Sequence, residues 1–415
     1  MRQVLINKQG KLTVAEVPAP TVEPGRVLVK TEFSVISSGT EVATIKHHSA
    51  GLISKAISKP EMIVKLAGQV VQKGPSGTAE FIKDNLTRWT PLGYSASGVV
   101  IEVGDLVSKI KVGDRVACIG AEYAHHADVI SVPENLAVLV PADTSLEFAS
   151  FAPIAAIAMQ ATRKCKVSIG ETVAVIGLGL VGLLTCRILS LSGCRVIGID
   201  PSENRRKISM KMGAVESVAN NEIAKEAVES QTDGLGVDVS IITAASETSE
   251  PVMLGSELCR EGGKMVVVGD VKLSVDRNTM YRKEIDLIMS RSTGPGRYDF
   301  EYEERGKDYP NQYVRWTEAR NVDSCLKLMA NGSINIEPII TTQISIEEIE
   351  KAYKLLATRD STVAVLINYS EPSNKRNTST RLDLKPVKAL SSKVIGAGLI
   401  GTGEFTKAFT LPIKR

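Results

Sequence analysis

The sequence predicts an α/β fold in which a β-rich body is joined to a doubly wound parallel sheet. Three observations carry this. Up to about residue 145, short apolar runs are broken by Pro and Gly, the texture of short strands and tight turns. From about Ala152 to Met289, short apolar runs alternate with longer helical patterns, as they do when a parallel sheet is covered on both faces. The chain has 415 residues, 43% hydrophobic and 23% charged, which is ordinary for a globular protein of two or three domains.

The elements follow in order. Residues 1–7 and the runs Val27–Lys30, Gly98–Val103 and Arg115–Cys118 read as strands of the β-rich body. Between about His47 and Arg88, Ile53, Ile57, Met62, Val64 and Leu66 fall among lysines, an amphipathic helical pattern. A helix over Ile154–Lys164 leads into strands at Glu171–Ile176, Arg195–Ile199, Val237–Ile242, Gly263–Val268 and Ile285–Met289. A charged aromatic stretch comes next, then a closing helix (Ser345–Ala357) and strand (Thr362–Tyr369). Residues 370–392 have linker composition, and 393–415 start a second glycine-rich pattern, Gly396-x-Gly398-x-x-Gly401. Only fourteen residues follow Gly401, so a truncated module without a competent second site is expected.

Composition excludes several classes. Lys+Arg is 50 and Asp+Glu 47, so there is no basic excess for nucleic acid. The longest apolar runs, Phe148–Ala161 and Val173–Cys186, fall short of the ~18 residues of a membrane span. The N-terminus lacks the apolar core of a signal peptide. The six cysteines form no C-x-x-C pair, and there are four histidines. A cytoplasmic protein with reduced thiols, and no nucleic-acid or membrane partner, is expected.

Gly177-Leu178-Gly179-Leu180-Val181-Gly182 follows a strand and opens an apolar helix, the setting in which G-x-G-x-x-G binds a dinucleotide. Its glycines permit the turn, the approach of pyrophosphate and close helix–strand packing. The N–H groups at Leu180, Val181 and Gly182 then face phosphate. Asp200 ends the next strand, eighteen residues beyond Gly182, where an acid bonds the ribose hydroxyls. It predicts NAD over NADP, a preference that Arg205 and Arg206 soften.

The residues Gly93, Gly98, Gly104 and Val107 match the spacing of the G-H-E-x2-G-x5-G-x2-V signature of the medium-chain dehydrogenase/reductase family, the zinc alcohol dehydrogenase class, which the chain resembles over residues 1–369. The zinc-ligand His position is Tyr94 and the Glu position Ser95. The C-G-T-D motif appears as Ser38-Gly39-Thr40-Glu41, and the third ligand position falls near Ala152. The resemblance therefore implies a GroES-like catalytic domain (1–152 and 290–369) around a Rossmann domain (153–289), with no zinc. Tyr281–Asp286, Ser290–Tyr298 and Tyr313–Asn321 resemble a bacterial subgroup of two-part oxidoreductases fused to a Gfo/Idh/MocA-type Rossmann module, whose relatives are associated with polysaccharide or sugar-nucleotide metabolism. It also places Ser292, Thr293 and Gly294 beside the nicotinamide.

Without metal, a proton donor must come from a side chain. Tyr94 is the first choice, with Ser38 as its hydrogen-bond partner and Lys283 supplying positive charge; Tyr94 as a mere filler of the vacated pocket is an equal alternative. Glu41 reads as an outer acid or a solvated residue. His125 and His126 read as structural, and His47 and His48 as solvated. Six of the eighteen aromatic residues lie between 298 and 316, interleaved with arginines. From that stretch Arg291, Tyr298, Arg315 and Trp316 are the substrate-side candidates, through stacking and anion pairing; a self-packed surface excursion or a subunit contact is the other reading. The expectation is a zinc-independent NAD(P)-linked oxidoreductase, a homo-oligomer (dimer or tetramer), acting on a small hydroxyl or carbonyl substrate such as a sugar or sugar-nucleotide derivative. Enoyl or quinone reduction, and a silent cofactor-binding remnant of a two-part enzyme, are the alternatives.

Overall fold

The structure is a computed structural model that describes residues 1–37, 39, 89–219, 221–358 and 362–369. The expected helical segment 47–88, Ser38, Glu41 and residues 370–415 lie outside the described residues.

Strands β1 (Arg2–Asn7), β2 (Leu12–Glu16), β3 (Arg26–Ser37), β4 (Trp89–Pro91), β5 (Ser95–Val103), β6 (Arg115–Ile119), β7 (Val129–Pro133) and β8 (Ala137–Leu139) build the N-terminal body. Short helix α1 (Leu146–Ala149) and the long α2 (Ala152–Cys165) follow. Then β9 (Thr172–Ile176), α3 (Leu180–Leu191), β10 (Arg195–Ile199), α4 (Glu203–Lys211), β11 (Glu216–Val218), α5 (Asn221–Gln231), β12 (Val237–Ile242), α6 (Glu250–Leu258), β13 (Cys259–Val267), α7 (Arg277–Arg282) and β14 (Asp286–Met289) alternate. The chain continues through α8 (Phe300–Glu303), α9 (Glu318–Ala330), β15 (Ile340–Ser345), α10 (Ile349–Thr358) and β16 (Ala364–Asn368). The closing helix thus starts at Ile349 rather than Ser345, because residues 340–345 pair with β16 as a strand.

The six-stranded sheet has the order β11-β10-β9-β12-β13-β14 and is parallel throughout. The order reverses at β9, whose neighbours are β10 and β12, so the crevice of the sheet opens at the carboxyl ends of β9 and β12. Strand β9 is buried along its whole length. Its alternate residues point to opposite faces. Val173 and Val175 pack with Leu183 and Leu184 of α3, whereas Ala174 and Ile176 pack with Val228 of α5 and Val252 of α6. The continuous apolar run is therefore read by two cores at once.

The second sheet has the order β15-β16-β3-β5-β6-β8, with β7 also paired to β3, and β2-β1-β4 form a small antiparallel sheet. Helix α2 lies between the two large layers. Its Ala-rich sequence buries eleven of fourteen residues, and Pro153 in the first turn sits where a missing N–H costs nothing. The last strand, β16, returns to pair with β3, so residues from both ends of the described chain share one sheet.

Candidate active site

The glycine turn joins β9 to α3. Gly177 has φ +98°, and a methyl there would meet the Ala244 backbone nitrogen at 2.5 Å. A methyl on Gly182 would press on the Gly177 carbonyl and come within 2.8 Å of Thr243 Oγ1. At Gly179 it would meet nothing within 4 Å. Two glycines are thus demanded by packing, and the middle one borders open space at the N-terminus of α3. The first intrahelical bond runs from Leu183 N–H to the Gly179 carbonyl, so the N–H groups of Leu180, Val181 and Gly182 belong to the unbonded first turn. That cradle fits a pyrophosphate.

Asp200 is buried just past β10. Its Oδ2 accepts the Leu178 N–H at 2.7 Å and its Oδ1 the Ser202 N–H at 2.9 Å. The carboxylate therefore holds the tip of the glycine turn. Arg205 Nη1 stands 3.8 Å from Asp200, while its buried Nε has no hydrogen-bond partner among the described residues. Arg206 donates to the Asp200 and Pro201 carbonyls at 2.8 Å.

The N-terminal body carries the other candidates. Tyr94 precedes β5 and packs half-buried on the main core; its carbonyl accepts the Gly120 N–H at 3.1 Å. Two zinc positions are described, and they hold a phenol (Tyr94) and a methyl (Ala152). Neither is a zinc ligand. No three His, Cys, Asp or Glu side chains meet among the described residues. The described positions thus supply no customary zinc donor, and Ser38 and Glu41 lie outside the described residues.

Residues 291–318 reach the N-terminal body at Glu122 and Tyr123. Arg297 pairs with Glu303 at 2.8 Å and with Glu122 at 2.9 Å, and Tyr123 donates to Glu304. Glu122 and Tyr123 lie two and three residues past Gly120, so the stretch docks near the turn whose N–H bonds the Tyr94 carbonyl. Ser292 has φ +47° and Thr293 is buried. The Tyr298 ring, 63% exposed, is flanked by Arg291 at 5.6 Å and Arg297 at 4.1 Å. Tyr302 is instead fully buried. It stacks on Tyr309 and donates to Thr317 Oγ1 at 3.1 Å.

One expectation is corrected. Lys283 Nζ donates to the carbonyls of Glu257 (2.6 Å) and Cys259 (2.7 Å), where α6 ends. Cys259 aligns with Val237 at the start of β12, and Ile242 at its far end aligns with Ile176 before the glycine turn. Five residues of strand, about 17 Å, thus separate the amine from the cofactor edge, and it serves as a cation on helix-end carbonyls. Trp316 stacks between Arg163 (3.3 Å) and Arg315 (4.1 Å). The same Arg163 donates to Asn321 Oδ1 at 2.9 Å, and Asn321 Nδ2 donates to the Thr293 carbonyl at 2.7 Å. Trp316 thus packs on a side chain that reaches the Ser292–Thr293 turn through Asn321, and Arg315, Arg291 and Tyr298 are exposed.

The two described histidines have internal partners. His126 is buried, with Nδ1 2.8 Å from Ser34 Oγ, which lies 2.9 Å from the Tyr369 hydroxyl. Burial pushes His125 down to about 4. All six cysteines are buried, and burial pushes thiols such as Cys186 up to about 12, far from a reactive thiolate. The sequence did not single out Glu318 and Glu303, buried acids beside this stretch; the signal for Glu318 is the T-E pair that starts α9.

Comparison with known proteins agrees with this fold. The zinc-binding dehydrogenase family matches residues 181–304. A probable D-xylulose reductase A of Aspergillus clavatus is 28% identical over 301 residues, 63% of this chain and 76% of the relative. Galactitol-1-phosphate dehydrogenase of Escherichia coli shares the fold at TM-score 0.67 and 19% identity, covering 89% of this chain and all of that one. An alcohol dehydrogenase of E. coli CFT073 complexed with NADH matches at TM-score 0.67 and 18% identity, covering 89% and 99%. The chain is an oxidoreductase of the NAD(P)-dependent alcohol dehydrogenase type. Over residues 181–304 it is similar to the zinc-binding dehydrogenases.

Proposed function

We propose that the chain oxidises or reduces a polyol or sugar derivative with NAD, without zinc, and that Tyr94 moves the proton at the substrate oxygen. The observation that carries the reading is the Gly179 cradle, closed at its tip by the buried Asp200 carboxylate. When bound, a nicotinamide dinucleotide supplies the hydride donor or acceptor. Gly179 admits the pyrophosphate, and the first turn of α3 binds it. Asp200 favours ribose hydroxyls and repels a 2′-phosphate, with Arg205 beside it. Tyr94, at the position of a zinc ligand, offers its phenol to the substrate oxygen, with Ser38 as the proposed partner. Ser292 and Thr293 support the nicotinamide edge. Arg291 and Tyr298 take the substrate by ring stacking and anion pairing. The catalytic body is then 1–152 with 290–369, wrapped around a cofactor module at 153–289.

The polyol substrate class is supported by relatives named for xylulose and galactitol-1-phosphate. Fluorescence titration tests the cofactor: NADH should bind more tightly than NADPH, and the reverse order would overturn the assignment of Asp200. Tyr94→Phe should leave NADH affinity intact and lower turnover by about 10²–10⁴-fold. Unchanged turnover would remove Tyr94 from the chemistry. Cofactor binding without turnover on polyols, alcohols, enoyl compounds and quinones would make the chain a binding partner instead.

A further inference from the structure

Helix α9 starts with Thr317 as its cap and Glu318 as its first residue. Acids in a first turn normally face solvent and the positive helix end; Glu318 is wholly buried. Its Oε2 accepts the Thr293 hydroxyl at 3.0 Å, and its N–H donates to the Pro295 carbonyl at 2.8 Å. Oε1 is buried and has no partner among the described residues. One turn on, Asn321 Nδ2 donates to the Thr293 carbonyl at 2.7 Å and to Gln160 Oε1 of α2 at 3.2 Å. The turn that leaves the carboxyl end of β14 is thus gripped through both the hydroxyl and the carbonyl of Thr293. It has no slack, since a methyl on Gly294 would meet Gln160 Oε1 at 2.8 Å and Asn321 Nδ2 at 2.9 Å.

The charged and titratable groups around Glu318 are Glu303 of α8, Arg297 of the preceding turn, Glu122 from the loop after β6, and the phenols of Tyr302 and Tyr309. Arg297 already pairs with both Glu303 and Glu122, so Glu318 has no cation of its own. Burial and the Glu303 charge outweigh the Thr293 bond and Arg297, and push the Glu318 carboxyl up to about 8.

We propose that Glu318 is a positioning residue for the Ser292–Thr293 turn: as a neutral acid it holds Thr293 against α9, and on losing its proton it releases the turn at the cofactor edge. A buried carboxylate facing Glu303 without a cation is costly enough to break the packing that confines it. The proposal rests on the reading that Ser292 and Thr293 lie beside bound nicotinamide.

The chain has two tryptophans, and Trp316 lies two residues from Glu318. In full-length Trp89→Phe protein without cofactor, Trp316 emission should show a transition centred near pH 8, and adding Glu318→Gln should abolish it. NADH affinity should weaken about tenfold between pH 7 and 9.5, as for a one-unit difference in the acid's pKa between free and bound protein, and should be flat with pH in Glu318→Gln. Thr293→Val is the second variant: Trp316 should still titrate, while NADH affinity should be lower at pH 7 and lose its alkaline fall. A Trp316 transition that persists in Glu318→Gln would overturn the proposal. NADH binding that is flat with pH in the unmodified chain, or a Thr293→Val affinity profile like the unmodified one, would overturn it and leave the dinucleotide reading standing. Absence of NADH binding at every pH would overturn that reading, and the latch with it.

Discussion

Replacing Gly179 and Gly182 by alanine, one at a time, separates cofactor recognition from folding within a single motif. The two sites lie three residues apart and differ in what surrounds them. At Gly182 the added methyl lands on the Gly177 carbonyl and within 2.8 Å of Thr243 Oγ1. Ordinary carbon contacts begin near 3.4 Å, so β9 and α3 must part by several tenths of an ångström or more. Overpacking of this kind costs about 1–3 kcal/mol. At Gly179 the backbone is at φ −70° and ψ −172°, which any residue adopts, and the methyl enters open space. Losing glycine at a helix cap should cost no more than about 1 kcal/mol. Urea unfolding followed by circular dichroism should therefore show Gly182→Ala clearly destabilised and Gly179→Ala close to the parent. NADH titration should show the opposite emphasis: Gly179→Ala should weaken binding at least tenfold although its fold is sound. NADH affinity unchanged in Gly179→Ala would refute the argument, because the open face would then not be where the pyrophosphate lies. Equal unfolding midpoints for Gly182→Ala and the parent would refute the packing half.

Two further outcomes follow from other residues. Lys283→Met should lower stability by about 1–2 kcal/mol through the helix-end carbonyls it leaves unpaired, with NADH affinity and turnover unchanged; lost turnover in a folded variant would return the amine to the active site. Glu318 should make stability pH-dependent. Its folded carboxyl titrates near 8 against an ordinary 4.5, so the native state keeps a proton that the unfolded chain has released. Stability from this group is full below about pH 4.5, falls by up to about 1.4 kcal/mol per pH unit as pH rises toward 8, and is level above that. Glu318→Gln should therefore be the more stable protein at pH 8 by a few kcal/mol and lose that advantage near pH 4.5, as read from urea midpoints across pH; an advantage that does not change with pH would refute it.

The parallel sheet was legible because each strand carries its own short apolar run and each helix a different period. The glycine turn was legible because its three residues answer separate steric demands at fixed spacing. Lys283 was misread because sequence shows a cation but not that α6 ends against it. The aromatic stretch was only partly legible because a cluster of aromatics along the chain does not say which rings face inward: Tyr302 is buried while Tyr298 stands out. Glu318 was passed over because a Thr-Glu pair at a helix start is ordinarily a solvated cap. Its burial depends on Thr293 and Glu303, which arrive from other segments of the fold.

The apolar cluster around α2 is continuous across both large layers: it takes in Val29, Ala96 and Val116 on one side and Val173, Val175 and Leu183 on the other. A helix shared in this way acts as a common keel. Separating the layers would strip water-free surface from Ile154, Ala155, Ala158 and Ala161 together, so neither layer gains by loosening alone. The two layers are therefore coupled in unfolding, and heat or urea should take them apart in one cooperative step rather than two. Relative movement at the mouth of the crevice must then come from side chains and connecting turns such as 291–298, while the keel keeps the spacing of the walls fixed.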